Sequence, residues 1–275
     1  MRKNNMTKTS FFKKAILDFF LYLLFGGIVI PLIILIITGL PAFLLYHYSL
    51  INFIRFYEDT IGPISLFVVN LVILKYIWWK YKLHLSVNKF IPNMDLMVIV
   101  YVILITMSYF LIDSYIGDII ILPDLNVTDF SILDRNMFGV ISTCFLSPLV
   151  EEFIFRGSVE RYLLKWRKNP WWAIVISAFL FGLIHLNPAQ SFSAFFAGLL
   201  FGWIYYRSKS LWPSIIIHSL NNILCLLTDW KYGINCRVID IFNQKSHLMY
   251  FVLSLCAVVL SITLYKFYEY TKTTK

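Results

Sequence analysis

Charged residues are scarce in this sequence, and their scarcity excludes the largest class of proteins. Only 14% of the 275 residues are Asp, Glu, Lys or Arg, compared with about 25% in soluble domains. Hydrophobic residues make up 59%, compared with roughly 45–50%, and the mean hydropathy is +0.74. A soluble globular domain is therefore excluded, and a membrane protein is indicated.

Cysteine is also rare, and the common metal motifs are absent from the sequence. The four cysteines show no Cys-x-x-Cys spacing, which excludes a zinc ribbon and a disulfide framework. No His-Glu-x-x-His sequence occurs, so no single helix carries two zinc-binding histidines with a catalytic glutamate between them.

Long apolar stretches are what the sequence has instead. A transmembrane helix needs about 20 mostly apolar residues, and eight stretches qualify, of which the fourth and fifth are the least clean. They lie near 20–46, 60–80, 95–115, 137–165, 170–186, 190–206, 211–228 and 247–268. We therefore predict an all-α, polytopic membrane helical bundle of about eight transmembrane helices.

The net charge of +9 follows from the topology of such a bundle. If the N-terminus is cytoplasmic, 18 of the 24 Lys and Arg residues lie on the cytoplasmic side and five on the other, with Arg156 inside the membrane. This bias is what the positive-inside rule predicts for eight spans. We expect a cell-membrane protein with both termini in the cytoplasm, in contact with the lipid bilayer and not with nucleic acid.

Ionisable residues inside the predicted spans mark the candidate site. A charge at mid-span costs about 2.5–3.5 kcal/mol on insertion scales, so such residues are functional candidates. They fall in the fourth, fifth and seventh spans, and we find nothing comparable in the first three: Glu151, Glu152, Arg156, His185, His218 and Asn222. This clustering divides the chain into an N-terminal membrane region at 1–136, a catalytic core at 137–228, and a last helix with a tail at 229–275.

Helical spacing assigns different roles to these residues. Glu152 and Arg156 are four apart and can form an ion pair, whereas Glu151 is turned about 100° away. His218 and Asn222 are also four apart, so both side chains can donate hydrogen bonds to one developing oxyanion.

The three motifs in this order resemble the CPBP intramembrane proteases. The motifs are Glu-Glu-x-x-x-Arg at 151–156, Phe-x-x-x-His at 181–185 and His-x-x-x-Asn at 218–222, and the resemblance covers about 140–228. That group includes the CAAX prenyl endopeptidases and bacterial Abi proteins linked to bacteriocin processing and self-immunity.

The resemblance implies an intramembrane endopeptidase that acts on a membrane-tethered peptide or protein, in CAAX-type or bacteriocin or signal-peptide processing. Glu151, assisted by His185, would activate water, and His218 and Asn222 would stabilise the oxyanion. The Glu152–Arg156 pair would hold the site together.

Other interpretations remain open at this point. Two histidines and a glutamate could bind zinc, but asparagine is a poor zinc ligand and a good oxyanion donor, so we favour a metal-free site. A non-catalytic bacteriocin self-immunity protein is the main alternative. A transporter is less favoured, because transporters of this kind often show matched halves with broken helices.

The positions of residues along their helices give two geometric expectations. At 1.5 Å per residue, His218 lies about 9 Å along its span and His185 about 22 Å along its own. The two should not meet if both helices begin at one level. Ala194, Gly198 and Gly202, four residues apart, predict a small-residue packing stripe.

Overall fold

The computed structural model describes residues 8–46, 56–81, 95–123, 136–167, 169–233 and 236–273. The described residues fold into helices, and no strand occurs among them. The prediction of an all-α fold is confirmed.

Eight long helices and one short helix follow one another along the described residues. They are α1 (Lys8–Leu24, Phe25–Val29, Ile30–Ile34, Leu35–Gly39 and Leu40–Tyr46), α2 (Tyr57–Ile61 and Gly62–Tyr81), α3 (Leu96–Ile119), α4 (Met137–Ile141, Ser142–Leu146, Ser147–Ile154, Phe155–Glu160 and Arg161–Trp166), α5 (Pro170–Leu183), α6 (Pro188–Ser208), α7 (Trp212–Tyr232), the short α8 (Val238–Ile241) and α9 (Ser246–Thr273). Within α1, α2 and α4 five pieces are π turns: Phe25–Val29, Leu35–Gly39, Tyr57–Ile61, Ser142–Leu146 and Phe155–Glu160. The remaining pieces are α-helical. Each predicted span coincides with one long helix.

Five segments are long and apolar enough to cross a membrane. They are Thr9–Gly39, Asp59–Trp79, Leu96–Ile119, Met137–Trp166 and Ser246–Thr273. Helix α5 has 14 residues, fewer than the about 20 of a full span. Helices α6 and α7 have 21 residues each but are not among the segments that are apolar enough to count as spans. The chain is a multi-pass membrane protein, and the count of eight spans stays a prediction.

The helices group into two compact units. Unit 1 consists of Met1–His84 and Thr128–Ala173 and contains α1, α2 and α4. Helices α1 and α4 run antiparallel, because Phe11 stacks on Tyr162 while Phe19 meets Phe155. Helix α2 packs against the first half of α4. Helix α4 therefore contacts both other helices of its unit.

Unit 2 consists of Leu85–Val127 and Ile174–Lys275 and contains α3, most of α5, and α6 to α9. Its buried core combines residues of α3, α6, α7 and α9: Val98, Val102, Ile105, Tyr109, Ala197, Phe201, Ile204, Ile217 and Phe267. Gly198 of α6 lies so close to α5 that an added Cβ would sit 2.9 Å from Cα of Ala178. The predicted stripe, whose three residues are buried, is confirmed as a packing surface.

The predicted catalytic core at 137–228 contributes α4 to unit 1 and both α6 and α7 to unit 2. The division of the chain at 136 and 228 rests on where the motifs lie, and it stays a prediction.

Candidate active site

Helix α4 presents the two glutamates of the first motif from an anchored segment. The side chain of Asn136 caps the start of α4 by accepting a hydrogen bond from the Phe138 N–H at 2.9 Å. The glutamates lie in Ser147–Ile154, which has a π turn on either side. The Ser147 hydroxyl accepts a hydrogen bond from Nδ2 of Asn70 in α2 at 2.9 Å. The π turns on either side of the glutamates are of a kind that is frequent at functional sites.

Glu152 and Arg156 form the ion pair that their spacing predicts. Nη1 of Arg156 lies 3.0 Å from Oε1 of Glu152, and both side chains are 0% exposed. Each charge is expensive to bury alone, and pairing offsets that cost. The pair is sealed within the protein, which supports a structural role.

Glu151 has a different environment from its neighbour. It is half-buried, and its charge interacts with the Tyr22 hydroxyl of α1 in the same unit. A half-buried carboxylate can reach water or a substrate, whereas the sealed Glu152 cannot. The exposure of Glu151 therefore suits a chemical role, and the burial of Glu152 suits a structural one.

His185 lies in the tight turn between α5 and α6. Its backbone N–H donates to the Gly182 carbonyl at 3.2 Å. Its Nδ1 lies 2.9 Å from the carbonyl oxygen of Phe181, which can only accept a hydrogen bond. Nδ1 therefore carries the proton, and Nε2 of the neutral ring has a free lone pair. Leu186 follows with φ of 53°, and Asn187 caps α6.

His218 lies beside His185 in unit 2. It is 6% exposed and stacks on Phe201 with ring centroids 5.1 Å apart. The Phe181 ring meets both imidazoles edge-on, at 5.2 Å from His185 and 5.6 Å from His218. Both imidazoles meet the same Phe181 ring, so α5 and α7 do not begin at one level, which is the condition under which the sequence allows the histidines to meet.

Asn222 lies one turn after His218 in α7 and is half-buried. Four-residue spacing places its carboxamide on the same face of α7 as the imidazole of His218. Unit 1 thus presents Glu151, and unit 2 presents His185, His218 and Asn222.

Two carboxylates of the N-terminal helices, one buried and one half-buried, were not predicted from the sequence. Asp18 of α1 is 4% exposed and accepts a hydrogen bond from the Ser158 hydroxyl of α4. Asp113 of α3 is partly buried and accepts from the Ser193 hydroxyl and, at 3.1 Å, from Tyr109. The expectation that the first three spans carry nothing comparable is wrong. The signal was present, because an acidic residue within an apolar run is itself a candidate.

A metal ion has a partial donor set in unit 2. His185 and His218 supply two imidazoles, and the bond from His185 Nδ1 to a carbonyl is the orientation that metal-bound histidines commonly have. Within either unit, the described residues contain no group of three His, Cys, Asp or Glu side chains placed to hold a metal. A zinc site would need a third donor in addition to the two histidines.

The fold and these residues define a multi-pass, all-α membrane protein whose three motifs lie on different helices. Residues 134–224 match the family described as "Type II CAAX prenyl endopeptidase Rce1-like". About a third of the chain thus matches this family model, and the resemblance stated from the motifs is confirmed.

Two curated relatives of Bacillus subtilis (strain 168) match parts of the chain. "Putative membrane peptidase YdiL" is 27% identical over 88 residues, which are 32% of this chain and 36% of that protein. "Uncharacterized protein YyaK" is 30% identical over 151 residues, half of each chain. The chain therefore spans half or less of the length of these relatives. No solved structure matches it significantly.

Proposed function

We propose that this protein is an intramembrane endopeptidase that hydrolyses a peptide bond in a membrane-tethered peptide or protein. The carrying observation is the contrast between a sealed Glu152–Arg156 pair and a half-buried Glu151, within a segment that matches the protease family. That contrast leaves one carboxylate available for chemistry and uses the other to stabilise the helix.

In the proposed reaction Glu151 acts as the general base. Its carboxylate takes a proton from a water molecule while the water oxygen attacks the scissile carbonyl carbon. The free Nε2 lone pair of His185 accepts a hydrogen bond from the same water and orients it. This role for His185 is supported by the hydrogen bond from its Nδ1 to the Phe181 carbonyl, because that bond fixes the tautomer of the ring.

The attack turns the carbonyl oxygen into an oxyanion. We propose that an N–H of His218 and the carboxamide of Asn222 donate hydrogen bonds to it, since both lie on one face of α7. The C–N bond then breaks, and Glu151 returns the proton to the leaving amine. The Glu152–Arg156 pair keeps α4 in place during the reaction.

The family description suggests the substrate class. We propose a CAAX-type substrate, in which a cysteine near the C-terminus anchors the chain in the membrane, cut at the cytoplasmic side where both termini lie. Processing of a bacteriocin or signal peptide would use the same chemistry on a different anchor.

Cleavage of a membrane-anchored reporter tests this proposal. Purified full-length protein in vesicles is given a reporter with a prenylated CAAX terminus and an unprenylated copy. We expect Glu151→Gln to slow cleavage about 10²–10⁴-fold and Asn222→Ala about 10²–10³-fold. The matched controls Glu269→Gln and His247→Ala remove equivalent groups in α9, where His247 is exposed, and should cleave normally. Full activity in Glu151→Gln would overturn the proposal.

Joint action of Glu151 and His185 on one bond has its own test. Catalytic groups that act as a unit give strongly non-additive losses. The double variant Glu151→Gln/His185→Ala should therefore be about as slow as the slower single variant. If the fold-loss in cleavage rate of the double variant equals the product of the two single losses, the two residues act independently.

The metal requirement is measured separately. Purified protein is analysed for zinc and assayed before and after chelation. We expect activity to persist without metal. If the purified protein instead contains one zinc ion per chain, and if His185→Ala loses both the zinc and the activity, the histidines are zinc ligands.

A further inference from the structure

Three cations meet at one end of unit 1. Lys14 lies on α1, and Arg161 and Lys165 lie on α4. The Lys14 Nζ is 4.9 Å from the centroid of the Tyr162 ring. The Lys165 Nζ is 5.5 Å from the Phe11 ring and 5.7 Å from Tyr162. The two ammonium groups therefore share the Tyr162 ring, which stacks on Phe11. We call Lys14, Arg161 and Lys165 the cationic cluster.

No carboxylate neutralises the cationic cluster within the part of the chain that the structure describes. Lys165 is close enough to both Arg161 and Lys14 for their charges to repel it. Cation–π contacts offset part of this repulsion, at about 0.5–1 kcal/mol for exposed pairs. A bound anion would remove the remainder, so the cluster has the electrostatics of an anion site.

An apolar cavity lies further along the same unit. It encloses about 180 Å³ between α1 and α2, and its lining is mostly apolar but includes the buried Asp18 of α1 and Ile154 of α4. The other main lining residues are Leu21, Tyr22, Phe25, Val72, Ile73 and Tyr76. Phe25 is 47% and Tyr76 40% exposed, so the cavity is open at the surface of the unit. An apolar cavity of about 150 Å³ stays dry and takes up apolar molecules.

The cationic cluster and the cavity are related by the geometry of α1. Lys14, Leu21 and Phe25 are spaced seven and four residues apart and share one helix face. Leu21 and Phe25 lie about 10 and 16 Å along the axis from Lys14. The span Thr9–Gly39 begins close to Lys14. Since each headgroup layer is only about 5–8 Å thick, the cluster lies at headgroup level and the cavity lies in the hydrocarbon.

We propose that unit 1 binds one anionic glycerophospholipid, with its phosphate on the cationic cluster and one acyl chain in the cavity. The headgroup and the chain are both required, because the cluster alone matches free phosphate and the cavity alone matches any apolar chain. The binding does not rest on the proposed hydrolysis, and the two features have Tyr22 in common, which lines the cavity and interacts with Glu151.

Lipid binding by the purified full chain tests the proposal. Affinity is measured in detergent by native mass spectrometry with phosphatidylglycerol, phosphatidylcholine and inorganic phosphate. Two charges contribute about 1 kcal/mol each near a membrane surface, so Lys14→Gln/Lys165→Gln should weaken phosphatidylglycerol binding about 30-fold. The control Lys13→Gln/Lys272→Gln removes the same charge from two exposed positions and should bind normally.

The cavity and the choice of lipid are tested in the same assay. Val72→Phe, which narrows the cavity, should weaken phosphatidylglycerol binding while leaving the thermal stability of the lipid-free protein unchanged. Equal affinity for phosphatidylcholine would overturn the role of the cationic cluster. Inorganic phosphate that competes as well as the lipid would overturn the role of the cavity.

Discussion

The Nδ1–H of His185 donates to the carbonyl oxygen of Phe181 at 2.9 Å, and the ring of Phe181 meets the imidazole of His185 edge-on. One residue therefore fixes both the tautomer and the position of this histidine. The same ring also contacts His218. Phe181 is 2% exposed, so its ring is held firmly between the two imidazoles.

Replacing the Phe181 ring should lower activity more than stability. Phe181→Leu keeps the backbone carbonyl and most of the apolar volume, so we expect a loss of about 1 kcal/mol in unfolding free energy. Both imidazoles lose their support, and a displacement of about 1 Å can cost 10²-fold in turnover. Reporter cleavage and thermal unfolding measure the two effects. Phe179→Leu, at a 56% exposed position of the same helix, is the control, and an equal activity loss there would contradict the argument.

Adjacent glutamates should respond to substitution in opposite ways. Glu152→Gln leaves the Arg156 charge buried without its ion-pair partner, which costs about 3–5 kcal/mol of unfolding free energy. Glu151→Gln should leave the fold intact and abolish cleavage. Denaturant unfolding in mixed micelles and reporter cleavage distinguish the two variants.

An apolar replacement of the whole pair is the companion experiment. Glu152→Leu/Arg156→Met removes both charges, so we expect it to recover most of the stability lost in Glu152→Gln. A double variant less stable than the single one would show that the charges contribute more than mutual neutralisation.

Local properties of the sequence were sufficient to predict the helices and the Glu152–Arg156 pair. Apolar runs determine where helices form in a bilayer, because every backbone polar group must be satisfied within its own segment. Spacing of four residues brings side chains together on any helix. For the same reason the packing role of Gly198 was predictable from its neighbours on α6.

Contacts between distant segments could not be predicted in this way. The hydrogen bond between Asp18 and Ser158 joins residues 140 positions apart, and its existence depends on which helices pack together. The meeting of His185 and His218 at Phe181 depends on how far α5 and α7 are shifted along their axes. Neither the choice of packing partners nor the shift between two helices is encoded in the periodicity of a single span.

The Asp18–Ser158 hydrogen bond should stabilise unit 1. Ser158→Ala and Asp18→Ala each remove one partner of a buried polar contact, so each should cost about 1–3 kcal/mol of unfolding free energy. The double variant should cost less than the two single losses together, since groups in contact are coupled. Unfolding of all three variants in micelles gives the coupling energy. Strict additivity would show that the two side chains do not stabilise each other.

Replacing glycine by alanine should change the unfolding free energy differently at two positions. A Cβ at Gly198 would lie 2.9 Å from Cα and 3.0 Å from Cβ of Ala178, so Gly198→Ala must push α5 and α6 apart. Overpacking of this kind costs about 1–3 kcal/mol. A Cβ at Gly117 of α3 would meet nothing within 4 Å, so Gly117→Ala should be neutral or stabilise by up to about 1 kcal/mol.

Because Phe181 lies 3.3 Å from the added Cβ at Gly198, the strain should also reach the two histidines. We therefore expect Gly198→Ala to lose reporter cleavage at temperatures where the protein is still folded, whereas Gly117→Ala keeps it. Thermal unfolding and cleavage, measured on both variants, test this coupling. Full activity of folded Gly198→Ala would show that the α5–α6 packing can relax without moving Phe181, and that His185 is positioned by the turn after α5 alone.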